Sequence, residues 1–385
     1  EIEIEVVDQL LPEPSEWVYH LDLWQHPSAV ARVHNLEMWS NAHFEKMRPV
    51  MKMLADAGQK VITATLNKDP WNNQSYDAYA DMIIWTKNKD QSWSFDYTIF
   101  DKWVEFMMDL GTDNMINCYS LLTWNNQVHY NDMEKGELVT LELKAQSDEY
   151  AEFWSVFLKD FTKHLKEKGW LEITNIAMDE RSPADMQATM KVLETSAPEL
   201  GVSLADNHKS YKEYPGIKDI SVGASSEVDK ADITLRRAEG LITTWYVCCA
   251  DPFANMFTFS APAEPVYAAW HTVAGDFDGM LRWAYNSWVE NPLTDSRFRT
   301  WPAGDTYMVY PDARSSIRFE RLIEGIQDAE KIRILRKQYK EENSDESLEK
   351  LNKLEEAIAY FYTQFESELK ITKEMLKQYK VYSYF

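Results

Sequence analysis

The chain has 385 residues, of which 45% are hydrophobic and 13% aromatic, enough to bury one large core or two smaller ones. Its 63 acidic residues outnumber its 40 basic residues, and the formal net charge of −23 disfavours nucleic acid and anionic membrane surfaces as partners. The same charge favours a neutral substrate. No apolar run approaches the roughly 18 residues that cross a bilayer, so no membrane-spanning segment is expected.

The first fifteen residues predict the end of an upstream region. EIEIEVV alternates apolar and charged residues as a β-strand does, and LLPEPSEW then breaks the pattern with two prolines, as a linker would. The stretch carries neither a starting Met nor a signal sequence. We therefore expect a mature chain or a fragment, with residues 1–15 ahead of the main domain.

Residues 16–316 predict a closed α/β barrel. Short apolar runs alternate with segments of helical period, which is typical of repeated β-α units around a parallel sheet. The helical segments 44–58, 148–169 and 183–201 each end in a glycine suited to a helix C-terminus. Eight strands favour a (β/α)8 barrel of the TIM type. The predicted strands are residues 17–24, 60–66, 115–122, 173–179, 202–206, 219–224, 241–248 and 279–288.

Two insertions and a helical extension depart from this alternation. Residues 85–97 and 123–145 predict hairpins on the loop side of the barrel. After residue 316 the chain becomes strongly helical. We expect residues 317–385 to form a C-terminal helical extension packed on the barrel.

The cysteines are predicted to be reduced core residues. Cys118, Cys248 and Cys249 each lie in an apolar, strand-like run and lack the paired spacing of a zinc site or a disulfide framework. Free cysteine is among the most buried residue types, which favours a packing role.

No metal or cofactor is expected. His20 and Asp22 alternate on the first strand and His208 follows the fifth, but no H-x-x-x-H or H-E-x-x-H spacing accompanies them. These three residues are better suited to structural or substrate-binding roles. The chain also lacks a glycine-rich phosphate loop and a G-x-S-x-G nucleophile motif.

Two adjacent acids, Asp179 and Glu180, end the fourth predicted strand, where a barrel of this type forms its active site. Successive side chains on a strand point to opposite faces, so both acids can serve one pocket only where the backbone turns. One interpretation is structural: Asp179 caps the helix that begins at Pro183, and Glu180 pairs with Arg181. The other is that the pair is catalytic.

A catalytic pair indicates glycoside hydrolysis, in which one carboxylic acid protonates the leaving oxygen and a second group attacks or stabilises the anomeric carbon. Adjacent acids suit the substrate-assisted variant, in which the 2-acetamido oxygen of the sugar is the nucleophile. Two alternatives stay open at this point. One is a two-carboxylate retaining glycosidase of other specificity, with Asp206 as nucleophile and Glu180 as acid. The other is a non-catalytic carbohydrate-binding barrel.

Aromatic and amide side chains near other strand ends favour a sugar pocket. Flat rings suit the apolar faces of pyranose rings, whereas amides and carboxylates bond hydroxyl groups. Trp24 and Trp288 share this placement, although core packing is the competing explanation for any single Trp. The predicted substrate-binding residues are Asn207, His208, Trp245, Tyr246, Trp283, Tyr285, Asn286 and Asp305.

Several segments resemble glycoside hydrolase family 123, the bacterial β-N-acetylgalactosaminidases, and the wider domain group around it. They are the strand that ends in MDE, RWAYNSWVENPLTDSRFRTWPAGDTYMVYP at 282–311 and SIRFERLIEGIQDAEKIRIL at 316–335. The resemblance is strongest over residues 170–335. It implies a retaining exo-hydrolase that removes terminal β-linked N-acetylgalactosamine from glycans or glycolipids through an oxazolinium intermediate.

The resemblance also implies roles for individual residues. The acid pair of the family falls on Asp179, which would orient and polarise the acetamido group, and on Glu180, which would be the general acid and base. A tyrosine that bonds the acetamido oxygen and an aromatic platform under the sugar are expected as well. The candidates are Tyr246 and Tyr285 for the first, and Trp245 and Trp283 for the second.

Two further expectations concern the surroundings of the barrel. Family members usually carry an N-terminal β-sandwich, so residues 1–15 would be its last strand and a linker. The glycan-scavenging habit of the family implies export to the periplasm or cell surface.

Overall fold

The computed structural model describes residues 3, 10–224, 226, 228–251 and 253–378 of the chain. The predicted strand EIEIEVV lies almost entirely outside these residues. Within them the strands form two sheets, one of eight strands and one of four. In chain order the strands are β1 (His20–Leu23), β2 (Val61–Thr65), β3 (Ile84–Lys87), β4 (Trp93–Asp96), β5 (Met115–Tyr119), β6 (Gln127–Asp132), β7 (Glu137–Glu142), β8 (Thr174–Asp179), β9 (Gly201–Asp206), β10 (Asp219–Gly223), β11 (Ile242–Tyr246) and β12 (Gly279–Arg282).

The eight-stranded sheet is parallel and nearly closed, in the order β1-β12-β11-β10-β9-β8-β5-β2. Its two edge strands meet where the Lys60 N–H donates to the Leu21 carbonyl at 2.9 Å. Most strand residues are buried on both faces, as expected when helices cover the outside and side chains fill the inside. All eight predicted strands and the barrel fold are confirmed, with strand ends shifted by a few residues.

Helices lie on the outside of the barrel. They are α1 (Pro27–Val33), α2 (Asn41–Ala55), α3 (Thr98–Asp109), α4 (Asp148–Lys168), α5 (Pro183–Ser196), α6 (Lys230–Ala238), α7 (Glu264–Ala274), α8 (Ile317–Glu342) and α9 (Asp345–Gln378). Helices α1 to α7 stand between strands in the chain, and α8 and α9 follow the last strand. No helix within the described ranges is both long and apolar enough to cross a membrane.

Helix α4 shows how local sequence sets these boundaries. The Ser147 hydroxyl accepts from the Tyr150 N–H and begins the helix, and Gly169 ends it with a left-handed backbone (φ 73°). The prediction that a glycine at the helix C-terminus ends the segment 183–201 is wrong for Gly201. Helix α5 ends at Ser196, and Gly201 begins β9, where an added Cβ would lie 1.9 Å from the Asn175 side-chain oxygen. A close approach between strands, rather than a helix cap, requires glycine there.

The predicted hairpins both form, and together they build the second sheet, in the order β4-β3-β6-β7. Strands β3 and β6 pair in parallel and join the two hairpins. The His129 ring bonds Asp81 at 2.5 Å, and the Asn67 amide donates to the His129 carbonyl at 2.9 Å. The segments that follow β2 and β5 are therefore held against each other.

The predicted helical extension begins with α8, which completes the outer ring. Phe319, Leu322 and Ile326 are fully buried members of the main core. The Glu330 carboxylate accepts from the Val18 and Tyr19 N–H groups at 2.7 and 2.8 Å, just before β1. Helix α9 packs farther out, against α7. The division at residues 15 and 316 stays a prediction.

Candidate active site

A cavity of about 370 Å³ lies at the C-terminal ends of the barrel strands. Trp24 and Tyr246 line it and belong to a buried aromatic layer in the barrel mouth that also contains Tyr119. Both predicted acids line the cavity, together with five tryptophans. The residues that line the cavity are Trp24, Trp71, Gln74, Trp124, Asp179, Glu180, Ala205, Asn207, Gly223, Tyr246, Val247, Cys248, Cys249, Ala250, Asp251, Leu281, Trp283 and Trp301.

The backbone turn that brings two neighbouring acids into one cavity occurs at Glu180. Asp179 is the last residue of β8, and Glu180 adopts a left-handed conformation with φ 46°. The Glu180 N–H still donates to the Ala205 carbonyl of β9 at 2.9 Å, which anchors the turn to the sheet. Both side chains consequently leave the strand end on the cavity side.

Asp179 lies among indole donors. The Trp71 Nε1–H donates to its carboxylate at 3.0 Å, and the Trp124 side chain is a second donor. Burial and then the charge of Glu180 raise the pKa of Asp179 to about 7, against the lowering effects of Arg181 and the two indoles. Asp179 can therefore hold a proton near neutral pH.

Glu180 is bonded by Tyr246 of β11. The Tyr246 hydroxyl donates to the Glu180 carboxylate. Burial, followed by the charge of Glu180, raises the pKa of Tyr246 well above its usual value, so this phenol stays protonated and acts as a donor. Tyr246 is one of the two tyrosines predicted to bond the acetamido oxygen; the structure places it beside Glu180, and its role toward a sugar stays a prediction.

The structural interpretation of the acid pair is wrong for the helix cap. Ser182 begins α5, because its hydroxyl accepts from the Asp185 N–H. Arg181 lies with its guanidinium 4.4 Å from the centre of the Trp124 ring and donates from Nε to the Asp179 carbonyl at 2.5 Å. Asp179 is thus free of a capping role, and Arg181 supports the cavity wall.

Trp283 and Trp301 form another wall. Their ring centres are 6.3 Å apart in a T-shaped arrangement, and Trp301 donates to the Gln74 carbonyl at 3.1 Å. The Trp283 indole bonds the Asp305 carboxylate, which also pairs with Arg282 at 2.9 Å. Asp305 is fully buried and does not line the cavity, so it orients Trp283 instead of contacting a sugar.

Besides Asp305, three more predicted substrate-binding residues on or after β11 and β12 lie away from the cavity. Trp245 precedes Tyr246, so strand alternation turns it toward α7, where its indole donates to Thr272 at 2.8 Å. Tyr285 is buried and donates to the Val50 carbonyl at 2.8 Å. The Asn286 amide bonds both the N–H and the carbonyl of His26. Strand β12 ends at Arg282, earlier than predicted, so the chain has left the barrel mouth before these last two residues.

Of the two predicted substrate-binding residues that follow β9, one lines the cavity and the other does not. Asn207 is exposed and lines the cavity, whereas His208 is exposed outside it. Asp206 is buried, and its carboxylate accepts from the His208 N–H at 3.0 Å and from the Ser210 N–H and hydroxyl at 2.6 and 2.9 Å. Asp206 therefore holds its own loop and is unsuited to be a nucleophile in this cavity.

Several cavity residues were absent from the predicted site. Trp71 and Trp124 follow β2 and β5, at the strand ends where a barrel carries its active site. Their positions after two predicted strands could therefore have identified them as site residues. Cys248 and Cys249 are partly exposed cavity residues, because β11 ends at Tyr246, before them. Only Cys118 is a buried core residue as predicted.

The described part of the chain contains no group of three His, Cys, Asp or Glu side chains arranged to hold a metal ion. His20 and Asp22 are buried on β1, and His208 is exposed beyond β9, so these residues do not meet.

Comparison with known proteins bears on the family and the fold of the chain. The model of the glycoside hydrolase 123 catalytic domain matches residues 24–335. A family 123 glycoside hydrolase from Clostridium perfringens, described in a study of glycolipid glycan hydrolysis, is similar with a TM-score of 0.83 and 31% identity, over 95% of this chain and 73% of that one. A maltogenic alpha-amylase from Thermotoga neapolitana gives a TM-score of 0.43 and 9% identity, over 81% of this chain and 76% of that one. No curated protein sequence matches the chain.

Proposed function

The chain belongs to glycoside hydrolase family 123, and we propose that it removes terminal β-linked N-acetylgalactosamine from glycans or glycolipids by substrate-assisted, retaining catalysis. The observation that carries this proposal is the turn at Glu180, which directs two adjacent carboxyl groups into one cavity. A neighbouring pair suits one acid that holds the acetamido group and one that transfers the proton.

Asp179 is proposed to accept the acetamido N–H. Its two indole donors fix the carboxylate at the cavity wall, and a bound acetamido group would add a third donor. This added donor stabilises the ionised form of Asp179. The sugar oxygen is then held against the anomeric carbon, where it attacks to form the oxazolinium ion.

Glu180 is proposed to be the general acid and base. Before substrate binds, Asp179 keeps a proton up to a pKa of about 7, so the acid pair carries one proton near neutral pH. In the proposed reaction Glu180 delivers a proton to the leaving glycosidic oxygen. Glu180 later takes a proton from the water that opens the oxazolinium ion. The single Tyr246 hydroxyl proton is donated to Glu180 in the free enzyme, and we propose that it turns to the acetamido oxygen when substrate binds.

The proposed substrate class follows from the cavity and from the relative. A volume of about 370 Å³ lies in the lower part of the range of small-molecule sites, which favours one terminal sugar ring. Its indole walls suit the apolar face of that ring. The Clostridium relative is described as acting in glycolipid glycan hydrolysis, and we extend this substrate class to the present chain as part of the proposal. Export from the cell is proposed on the same basis.

The test is release of nitrophenol from aryl β-glycosides of galactose, N-acetylgalactosamine and N-acetylglucosamine. We expect turnover of N-acetylgalactosaminide alone, nearly abolished in Glu180→Gln and reduced by about 100-fold or more in Asp179→Asn. A thiazoline mimic of the oxazolinium ion should inhibit tightly. Equal turnover of galactoside, or near-normal rates in both variants, would refute the substrate-assisted mechanism.

A further inference from the structure

Two adjacent thiols lie in the wall of the proposed sugar cavity. Cys248 and Cys249 follow the end of β11, both line the cavity and both are partly exposed. The third cysteine, Cys118, is fully buried in β5. The proposed hydrolysis uses neither cavity thiol.

The two thiols contact each other in a turn that other residues hold in place. The Cys248 and Cys249 side chains form a hydrogen bond. The Asp251 carboxylate accepts from the Cys248 N–H at 2.9 Å, and the Asn255 amide donates to the Cys248 carbonyl at 2.8 Å. Asn255 is held in turn by Arg282, which donates to its side-chain oxygen at 2.7 Å. The sulfur atoms are thus kept close together at a fixed place in the cavity wall.

We propose that Cys248 and Cys249 are a modification site that peroxide-class oxidants convert to a disulfide between neighbouring residues, and that this conversion switches off the sugar cavity. The inference rests on the proposed function only for the identity of the sugar. It adds a chemical control that the hydrolytic reaction does not require.

Peroxide is the only oxidant that this conversion needs, because two thiols and one hydrogen peroxide give one disulfide and two waters. One of the two sulfurs attacks a peroxide oxygen, an S–O bond forms as the O–O bond breaks, and one water leaves with the proton of that thiol. The other sulfur then attacks the oxidised sulfur, an S–S bond forms as the S–O bond breaks, and a second water leaves with the proton of the second thiol.

Closing this small ring should distort the cavity. Cys248 lies two residues after Tyr246, whose hydroxyl bonds Glu180, and Val247 and Ala250 line the same wall. A ring through two consecutive residues changes the backbone between them. We therefore expect the Tyr246–Glu180 contact and the shape of the wall to change together, with a loss of about tenfold or more in kcat/KM.

The test is a hydrogen peroxide titration of the whole chain, read by mass spectrometry and by activity in the same samples. We expect the peptide that holds both cysteines to lose the mass of two hydrogens as hydrolysis of the best aryl β-glycoside falls. Dithiothreitol should reverse both changes. Each variant is compared with its own untreated activity. Cys118→Ser should behave like the wild type, whereas Cys249→Ser and Cys248→Ser should lose the reversible inactivation.

Two results would overturn the inference. One is a peptide that keeps both thiols under excess peroxide. The other is a disulfide that forms while the enzyme retains full activity and full binding of the thiazoline. Because the mass readout needs no substrate, turnover of an unexpected sugar would refute the proposed specificity without touching this site. If no aryl glycoside were turned over, loss of thiazoline or N-acetylgalactosamine binding on oxidation would serve as the second readout.

Discussion

At Glu180 a single backbone conformation decides what the acid pair can do. A left-handed φ of 46° costs an ordinary residue about 1 kcal/mol or more, and such strain is found at functional sites that the surrounding structure holds in place. The sequence predicts that a turn is needed here, because neighbouring side chains on a strand diverge. It does not predict which residue turns, since that depends on the hydrogen bond from the Glu180 N–H to Ala205 on the next strand.

The pH dependence of catalysis follows from the proton that the pair shares. The proposed reaction needs one proton on the acid pair, and Asp179 holds a proton up to a pKa of about 7 before substrate binds. We expect kcat/KM, which reports the free enzyme, to fall as the pH rises through about 7. A pH profile measured with an aryl N-acetylgalactosaminide checks this, and a profile flat across neutral pH would contradict it.

Trp71→Phe tests the indole that bonds Asp179. The change removes the donor at 3.0 Å but keeps a ring against Trp24, so it withdraws stabilisation from the ionised carboxylate. The pKa of Asp179 should rise, and the alkaline fall of kcat/KM should shift to higher pH, with an overall loss of about tenfold. Trp301→Phe is the matched control, since its indole bonds the Gln74 carbonyl, and it should leave the position of the fall unchanged.

Asp179 should also weaken the fold at alkaline pH. The pKa of this carboxyl is near 3.8 in the unfolded chain and about 7 in the folded one. Its contribution to the free energy of unfolding therefore decreases as the pH rises from about 3.8 to about 7. Above pH 7 the cost reaches roughly 4 kcal/mol at most. Asp179→Asn should therefore raise the unfolding temperature at pH 8 and have little effect near pH 4. An equal gain at both pH values would show that the side chain acts through packing instead.

At the scale of elements, the periodicity that predicts strands and helices is local, and the structure confirms it. The segments after the strands are set by longer-range contacts. Tyr285 and Asn286 continue an apolar run in sequence, yet β12 ends at Arg282, whose guanidinium pairs with buried Asp305. Trp71 and Trp124 stand in polar segments, which the pairing of β3 with β6 and the bond from the Trp124 N–H to the Pro70 carbonyl bring together. Such pairing leaves no signal in either hairpin alone.

Gly325 tests the packing of α8 on α7. A Cβ at this position would lie 2.7 Å from the Ala269 Cβ and 3.0 Å from the Val266 Cα. Gly325→Ala gains helix propensity, but the clash with a neighbouring helix should outweigh it and lower the free energy of unfolding by roughly 1–3 kcal/mol. Denaturant unfolding measures the change. Gly216→Ala, where an added Cβ meets no atom within 4 Å, is the control and should be nearly neutral.

At the scale of the whole molecule, a net charge of −23 produces a field that repels anionic substrates. We expect kcat/KM for an aryl glycoside with an ionised carboxylate on the aryl group to rise several-fold as salt goes from roughly 20 to 200 mM, as the Debye length shrinks. The uncharged aryl glycoside should show no such increase, which separates screening from a general salt effect. If the charged and uncharged glycosides responded equally to salt, the net charge of the chain would have no effect on the binding of an anionic substrate.

The second sheet has a consequence for redesigning this enzyme. The segments after β2 and β5 each supply one indole donor to Asp179, and they are tied by the Trp124 N–H, which donates to the Pro70 carbonyl at 2.8 Å, as well as by the shared sheet. Replacing only one of these two segments with that of a homologue would leave one hairpin of the second sheet without its partner hairpin. It would also displace one of the two indoles that donate to Asp179. New leaving-group preferences should therefore be obtained only by transplanting both insertions as a unit.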